Sequence, residues 1–258
     1  PFLYKKKEQT NNKKIYFNFA DINSVDGGEA GVGFGSIFLR NKFVKTDKRK
    51  AAIALHELWP NYGVSLTDNQ LNFEELFFNS HDVTLEVGFG NGDSLLEMAI
   101  QQPKQNFLGI EVYEAGVGRL INEANKHQLS NLKIIKEDAV EVLQNHIPDD
   151  SLSKFQLFFP DPWHKKRHHK RRIIQTSFLD ILTKKLKTDG IVHIATDWEN
   201  YAEHIMETLE SHQHFKNTLG DHIYSPRPKH RPLTKFENRG QKLGHGVWDI
   251  IFTNSKGG

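Results

Sequence analysis

Residues 83–95 read VTLEVGFGNGDSL: a five-residue apolar and β-branched run interrupted by Glu86, then Gly88, Gly90 and Gly92, then Asp93 and Ser94 opening a new segment. The run is short enough for a strand buried on both faces. Alternating glycines let backbone N–H groups approach a ligand at a helix N-terminus, where side chains would block it. Strand, glycine turn and helix together form the first unit of a nucleotide-binding α/β sheet. The same pattern is also an ordinary tight βα turn, so the ends of the neighbouring strands decide between the two.

Further runs of strand character follow at 106–112 (NFLGIEV), 131–136 (NLKIIK), 155–159 (FQLFF) and 190–196 (GIVHIAT). Helical stretches alternate with them. Val117, Leu120, Ile121 and Ala124 share one face, as do Ile174, Phe178, Ile181, Leu182 and Leu186, and another helix is expected near Asn200 to Ser211. This alternation predicts an α/β fold with a mostly parallel sheet and helices on both faces. The last run, VWDIIFT (247–253), is expected as an antiparallel edge strand. Upstream, 46–59 reads as a helix capped by Thr46, with Ala52, Leu55 and Trp59 on one face and Pro60 ending it. Residues 1–36, lysine-rich and then glycine-rich, are expected to be a flexible or atypical extension, and 37–258 a single domain. GGEAGVGFGS (27–36) has phosphate-loop-like spacing, but no periodic helix follows it, so it reads as a linker.

Composition narrows the classes. The chain of 258 residues is 37% hydrophobic, with a mean hydropathy of −0.58. It has no apolar run of membrane-spanning length, and its polar start does not resemble a signal peptide, so the cytoplasm is expected and a membrane is not. The absence of cysteine excludes disulfides, thiolate zinc sites and cysteine nucleophiles. Thirty-four basic against 32 acidic residues leave a net charge of only +2, so any basic surface has to be local.

The strand ends carry the chemistry. Glu111 closes the second run, placed to hold ribose hydroxyls, and Asp138 follows the third, placed to accept from an adenine amino group. Glu86 and Asp93 beside the glycines would repel a pyrophosphate, whereas they suit a sulfonium with an amino-acid tail. This favours S-adenosylmethionine over NAD. After the fourth run comes LFFPDPWHKKRHHKRRII (157–174), in which Asp161 stands between two prolines that stiffen the turn and aim its carboxylate. The alternative role for Asp161 is a turn cap. Nine consecutive His, Lys and Arg residues, His164 to Arg172, then offer phosphate contacts to a nucleic acid. The cationic neighbours of His164, His168 and His169 argue against a metal there. Asp197 and Trp198 end the fifth run. A second basic cluster, Arg227, Lys229, His230, Arg231 and Lys235, precedes Thr234 and Glu237 as base-edge partners and Phe236 as a stacking ring, with Trp163 and Trp198 either stacking or in the core.

Taken in order, LEVGFGNGDSL, FLGIEVY, DAVEVL, LFFPDPWHKKRHHKRR, ATDWENYAEH and RPLTKFENRGQKLGHGVWDIIF resemble the bacterial tRNA (guanine-N7-)-methyltransferases, over roughly residues 38 to 253. The resemblance implies a class I S-adenosylmethionine-dependent, Rossmann-like methyltransferase fold. It also implies methylation of guanosine N7 at position 46 of the tRNA variable loop. It places Glu86, Gly88, Gly90, Glu111, Asp138 and Asp161 on the cofactor side, with Asp161 also catalytic. Lys165, Asp197, Thr234, Lys235, Phe236 and Glu237 match substrate-binding positions, and Arg167, His168, His169, Lys170, Arg171 and Arg172 the RNA-contacting stretch.

The residues and this chemistry agree. Guanine N7 carries a lone pair and needs no deprotonation, so neither a strong base nor a cysteine is required. Other readings are a base-amino methylase acting on adenine N6 or guanine N2, whose usual Asn/Asp-Pro-Pro-aromatic motif FPDPW only partly matches, a non-catalytic RNA-binding protein, and an NAD-dependent oxidoreductase.

Overall fold

The run preceding the glycine turn occupies the centre of a seven-stranded sheet in the computed structural model, which describes residues 51–53, 55–233, 237 and 246–256. In chain order the elements are α1 (Trp59–Tyr62), α2 (Phe73–Phe77), β1 (Val83–Val87), α3 (Asp93–Gln101), β2 (Asn106–Ile110), α4 (Glu114–Lys126), β3 (Leu132–Ile135), α5 (Ala139–Asn145) and β4 (Leu152–Phe158). A 3₁₀ turn (Lys166–Arg171), α6 (Thr176–Lys185), β5 (Leu186–Thr196), α7 (Glu199–Glu210), β6 (Phe215–Asn217) and β7 (Trp248–Asn254) follow.

The sheet order is β3-β2-β1-β4-β5-β7-β6. β1 to β5 pair in parallel, and β7 runs antiparallel to both β5 and β6. Strand directions thus agree with expectation. The edge differs: short β6 lies outside β7, so the last strand is flanked on both sides. β5 also begins four residues before the expected 190, at Leu186, which pairs with Leu152.

Helix faces follow the apolar spacing. Val117, Leu120, Ile121 and Ala124 of α4 are fully buried with Leu95 and Met98 of α3 on one face of the sheet. Phe178, Leu179 and Leu182 of α6 and Tyr201, Ile205 and Leu209 of α7 cover the other. Truncating a side chain such as Leu120 to Ala costs about 2–5 kcal/mol. Ile174 is buried ahead of α6 rather than in it, and Leu186 has passed into β5.

Pro60 does not end the upstream helix as expected. Residues 51–53 and 55–57 are helical, and Pro60 sits in the first turn of α1, where a missing N–H removes no hydrogen bond. Thr46 lies outside the described residues. Among the described residues, no helix is long and apolar enough to cross a membrane.

Candidate active site

All five parallel strands deliver their ends to one edge of the sheet, and each delivers an expected residue there. β1 leads into Gly88 and Gly90, β2 into Glu111, β3 into Asp138, β4 into Asp161 and β5 into Asp197. Because β1 lies between β2 and β4, the glycine turn is flanked by Glu111 on one side and the Asp161 turn on the other, at strand spacings of about 4.8 Å.

The glycine turn is held open by Glu111. Its Oε2 accepts the Gly90 N–H at 2.8 Å, and its Oε1 accepts those of Val112 and Tyr113 at 2.7 and 3.0 Å. Glu111 is 2% exposed. Gly90 has φ +57°, and a Cβ built on it would have no atom within 4 Å, so the turn faces open space that a side chain would fill. Across the turn, α4 packs so closely that a Cβ on Gly116 would stand 1.9 Å from the Gly90 carbonyl oxygen. That close approach requires glycine at 116, and nothing in the local sequence pattern signals it.

Glu86 is 2% exposed, and its Oε2 has no hydrogen-bond partner. Burial, and then the neighbouring Glu111 carboxylate, push its pKa up to about 8. An orphaned buried carboxyl oxygen beside an open glycine cradle fits a ligand with a cationic, hydrogen-bond-donating end. S-adenosylmethionine is such a ligand, so the residues present fit it.

Asp138 has a structural task that its sequence position did not announce. Its Oδ1 accepts from Val140 N at 3.0 Å and Glu141 N at 3.1 Å, capping α5. Of the two roles weighed for Asp161, the turn cap is the one the structure displays. Its Oδ1 accepts the Trp163 N–H at 2.9 Å, closing the turn, while the half-buried carboxylate stays at the strand end.

The basic run divides in two. Lys165, Lys166, Arg167, Lys170 and Arg171 are exposed, and no residue of the 3₁₀ turn is buried. Arg171 lies over the Trp163 ring at 4.8 Å, and the His164 ring packs tilted against that of Trp198, which is 40% exposed, with 4.3 Å between centroids. Desolvation and the surrounding cations lower the pKa of both His168 and His169, so the charge of the turn comes from its Lys and Arg side chains.

Arg172 does not belong to that surface. It is 3% exposed, donates to Pro162 O at 3.0 Å and Asn200 Oδ1 at 2.9 Å, and lies over the Tyr201 ring at 4.6 Å. The expected RNA contact is instead a strut tying the Asp161 turn to α7. The cause is geometric, since the chain turns inward at Arg172 to enter the buried pair Ile173 and Ile174.

The late loop departs further from expectation. Arg231 is fully buried and holds two carboxylates at once. It donates to Glu237 at 2.6 and 2.9 Å and to Asp249 at 2.7 and 2.8 Å. His193 lies 2.7 Å from Asp249 Oδ1. Glu237 is therefore 2% exposed and ion-paired inside the protein, not displayed for a base edge. Thr234, Lys235 and Phe236 lie outside the described residues. Burial would raise the Asp249 pKa, but hydrogen bonds from His193 and Arg231 outweigh it and bring it below the usual value. His230 nearby falls to about 4, through burial and then Lys154. A visible signal for this cluster was the pair His193 and Asp249, polar residues inside otherwise apolar strands.

Comparison with known proteins agrees with this geometry. A family model described as "Putative methyltransferase" matches residues 80–250. A protein of Shewanella amazonensis named tRNA (guanine-N(7)-)-methyltransferase is 52% identical over 236 residues, covering 90% of this chain and 98% of the relative. That match is longer than the stretch from 37 to the end, so it takes in part of the first 36 residues. One of Saccharophagus degradans with the same name is 54% identical over 202 residues, covering 78% of this chain and 88% of the relative. Among solved structures, the 16S rRNA methyltransferase KamB superposes with a TM-score of 0.54 at 16% identity, covering 71% of this chain and 92% of its own. The antibiotic-resistance methyltransferase Kmr gives 0.53 at 13% identity, covering 76% and 96%. At such identities the two structures bear on the fold, and the fold they share is that of the class I methyltransferases.

Proposed function

The chain belongs to the tRNA (guanine-N7-)-methyltransferase family, and from that premise we propose that it transfers a methyl group from S-adenosylmethionine to N7 of guanine in tRNA, at position 46 of the variable loop. The observation that carries this reading is the adjacency of two turns. The glycine turn braced by Glu111 leaves β1, and the proline-braced Asp161 with its exposed basic ramp leaves β4, the next strand along the same edge.

Glu86, Gly88, Gly90, Glu111 and Asp138 would hold the cofactor, which when bound supplies an electrophilic methyl on sulfur. The protein then has to align guanine N7 with that methyl and stabilise the positive charge the purine acquires. Asp161 is assigned the second task, its carboxylate accepting hydrogen bonds from guanine N1 and N2 as these become more acidic. Since N7 loses no proton, no residue acts as a strong base. Lys165, Lys166, Arg167, Lys170 and Arg171 hold the RNA backbone, and Trp198 and Asp197 border the same opening.

The test is direct. The protein is incubated with labelled S-adenosylmethionine and unmodified tRNA, and the product is cleaved chemically at N7-methylguanosine. Cleavage at position 46 is expected. Label recovered in N6-methyladenine or N2-methylguanine would replace this reading by a base-amino methylase, and no incorporation by a non-catalytic RNA binder.

A further inference from the structure

A buried ion cluster lies behind the strand end that leads to Asp161. One guanidinium, that of Arg231, lies between two carboxylates, Glu237 and Asp249, and Asp249 is further engaged by His193. Replacing such a buried cluster with apolar side chains of similar volume is often neutral or stabilising, whereas removing one partner leaves an uncompensated charge. Geometry is what the cluster secures. A forked guanidinium with two bidentate carboxylates fixes distance and plane at once.

Its position shows what is fixed. Asp249 is on β7 and His193 on β5, so one side of the cluster belongs to the sheet. Glu237 supplies the second carboxylate from six residues beyond Arg231 in the chain. The guanidinium also lies 5.9 and 5.8 Å from the rings of Phe158, which ends β4, and Phe159, two residues before Asp161. Phe159 in turn donates its N–H to Ala195 O of β5 at 2.7 Å. Arg231 thus lies against the strand end that leads to Asp161 while Asp249 anchors it on β7.

We propose that Arg231, held by Asp249 and Glu237, is a positioning residue for guanine methylation: it sets the strand end that leads to Asp161 in one frame with β5 and β7. This rests on the guanine-N7 reading above. The role is exercised through Phe158 and Phe159, without contact between Arg231 and the base. Lysine at 231 would keep the charge but not the fork, leaving one carboxylate without its paired geometry.

The experiment compares wild type, Arg231→Lys and Asp249→Asn in the full chain, with unmodified tRNA and labelled S-adenosylmethionine. Turnover is expressed per cofactor-binding site counted by calorimetry. For Arg231→Lys, kcat per site should fall by about 10²-fold, the size of effect a misplacement of about 1 Å can produce, with cofactor Kd and stoichiometry within about twofold of wild type. A merely structural role would lower binding sites and activity together and leave kcat per site intact, which overturns the proposal. If Arg231→Lys does not fold, Asp249→Asn decides by the same criterion, because Asn keeps the side-chain shape and an acceptor for His193. Wild-type protein that leaves N7 unmethylated overturns the functional reading itself, and this role with it. Wild-type activity with unchanged variants overturns the positioning role alone.

Discussion

Asp161 Oδ1 accepts the backbone N–H of Trp163 at 2.9 Å, so the acid proposed to face the guanine also closes its own turn. The two tasks separate by substitution. Asn at 161 retains the acceptor oxygen and should leave the turn, the melting temperature and the cofactor affinity near wild type. It removes the negative charge, so kcat should fall by about 10²–10³, the size of effect seen when one charge-stabilising group is lost. Near-normal turnover of Asp161→Asn at saturating tRNA and cofactor would remove the charge-stabilising role. Ala at 161 should lose stability as well.

The inward turn of Arg172 divides the basic run into two experiments. Replacing Lys166, Lys170 and Arg171 with Ala should weaken tRNA binding and flatten the slope of log K against log salt concentration by about 2 to 3 units. Cofactor affinity should stay unchanged. Arg172→Ala should instead destabilise the protein by about 2 kcal/mol, since Asn200 Oδ1 and Pro162 O lose a buried charged donor. Denaturant titration and salt-dependent binding measure the two effects separately.

Much of this division was beyond the sequence. Strand positions, their parallel order and the acids at their ends could be read there, because a buried parallel strand is a continuous apolar run and its exit is marked by polar residues. What a polar residue does once folded could not. Arg171 and Arg172 are neighbours of identical type, yet one lies on an exposed turn and the other beneath it. Arg231 and Glu237 look like two substrate-facing charges in a proline-interrupted loop, and only the return of β7 brings Asp249 alongside to pull them inward. Asp138 kept its expected place but caps a helix, a use that depends on backbone direction. Pro60 opens a helical turn where its sequence position suggests a stop, since the same residue suits either end of a helical break.

Glu86 makes stability depend on pH in an unusual direction. Its pKa is about 8 in the folded protein against about 4.5 for the ordinary side chain. The folded state therefore keeps a proton that the unfolded chain releases. The associated stability is full below about pH 4.5, declines as pH rises and is gone once pH passes through 8. Glu86→Gln lacks this slope. The melting temperature of wild type relative to Glu86→Gln should drop between pH 5 and 8, and parallel curves over that interval would show that Glu86 is ionised throughout.

Glu111→Gln tests the brace of the glycine turn. Glu111 accepts N–H groups with both oxygens, Gly90 on one and Val112 and Tyr113 on the other. A glutamine must present an NH₂ to one of those donors. Cofactor Kd should rise at least about tenfold, corresponding to about 1.4 kcal/mol, while tRNA binding in the absence of cofactor stays near wild type. A calorimetric Kd equal to that of wild type would mean that the turn holds its shape without Glu111.

The placement of β7 between β5 and β6 has a consequence for the timing of synthesis. β1 to β5 emerge from the ribosome in the order in which a parallel sheet can grow, and with them every residue of the cofactor turn. Asp249 emerges more than fifty residues after His193 and inserts beside a strand already made. A nascent chain that has reached β6 holds Arg231 neither in sequence nor in place, and one that has reached Glu237 still lacks the carboxylate that turns Arg231 inward. The strands that carry the glycine turn and Asp161 are thus complete in sequence before the carboxylate that anchors Arg231 has been made.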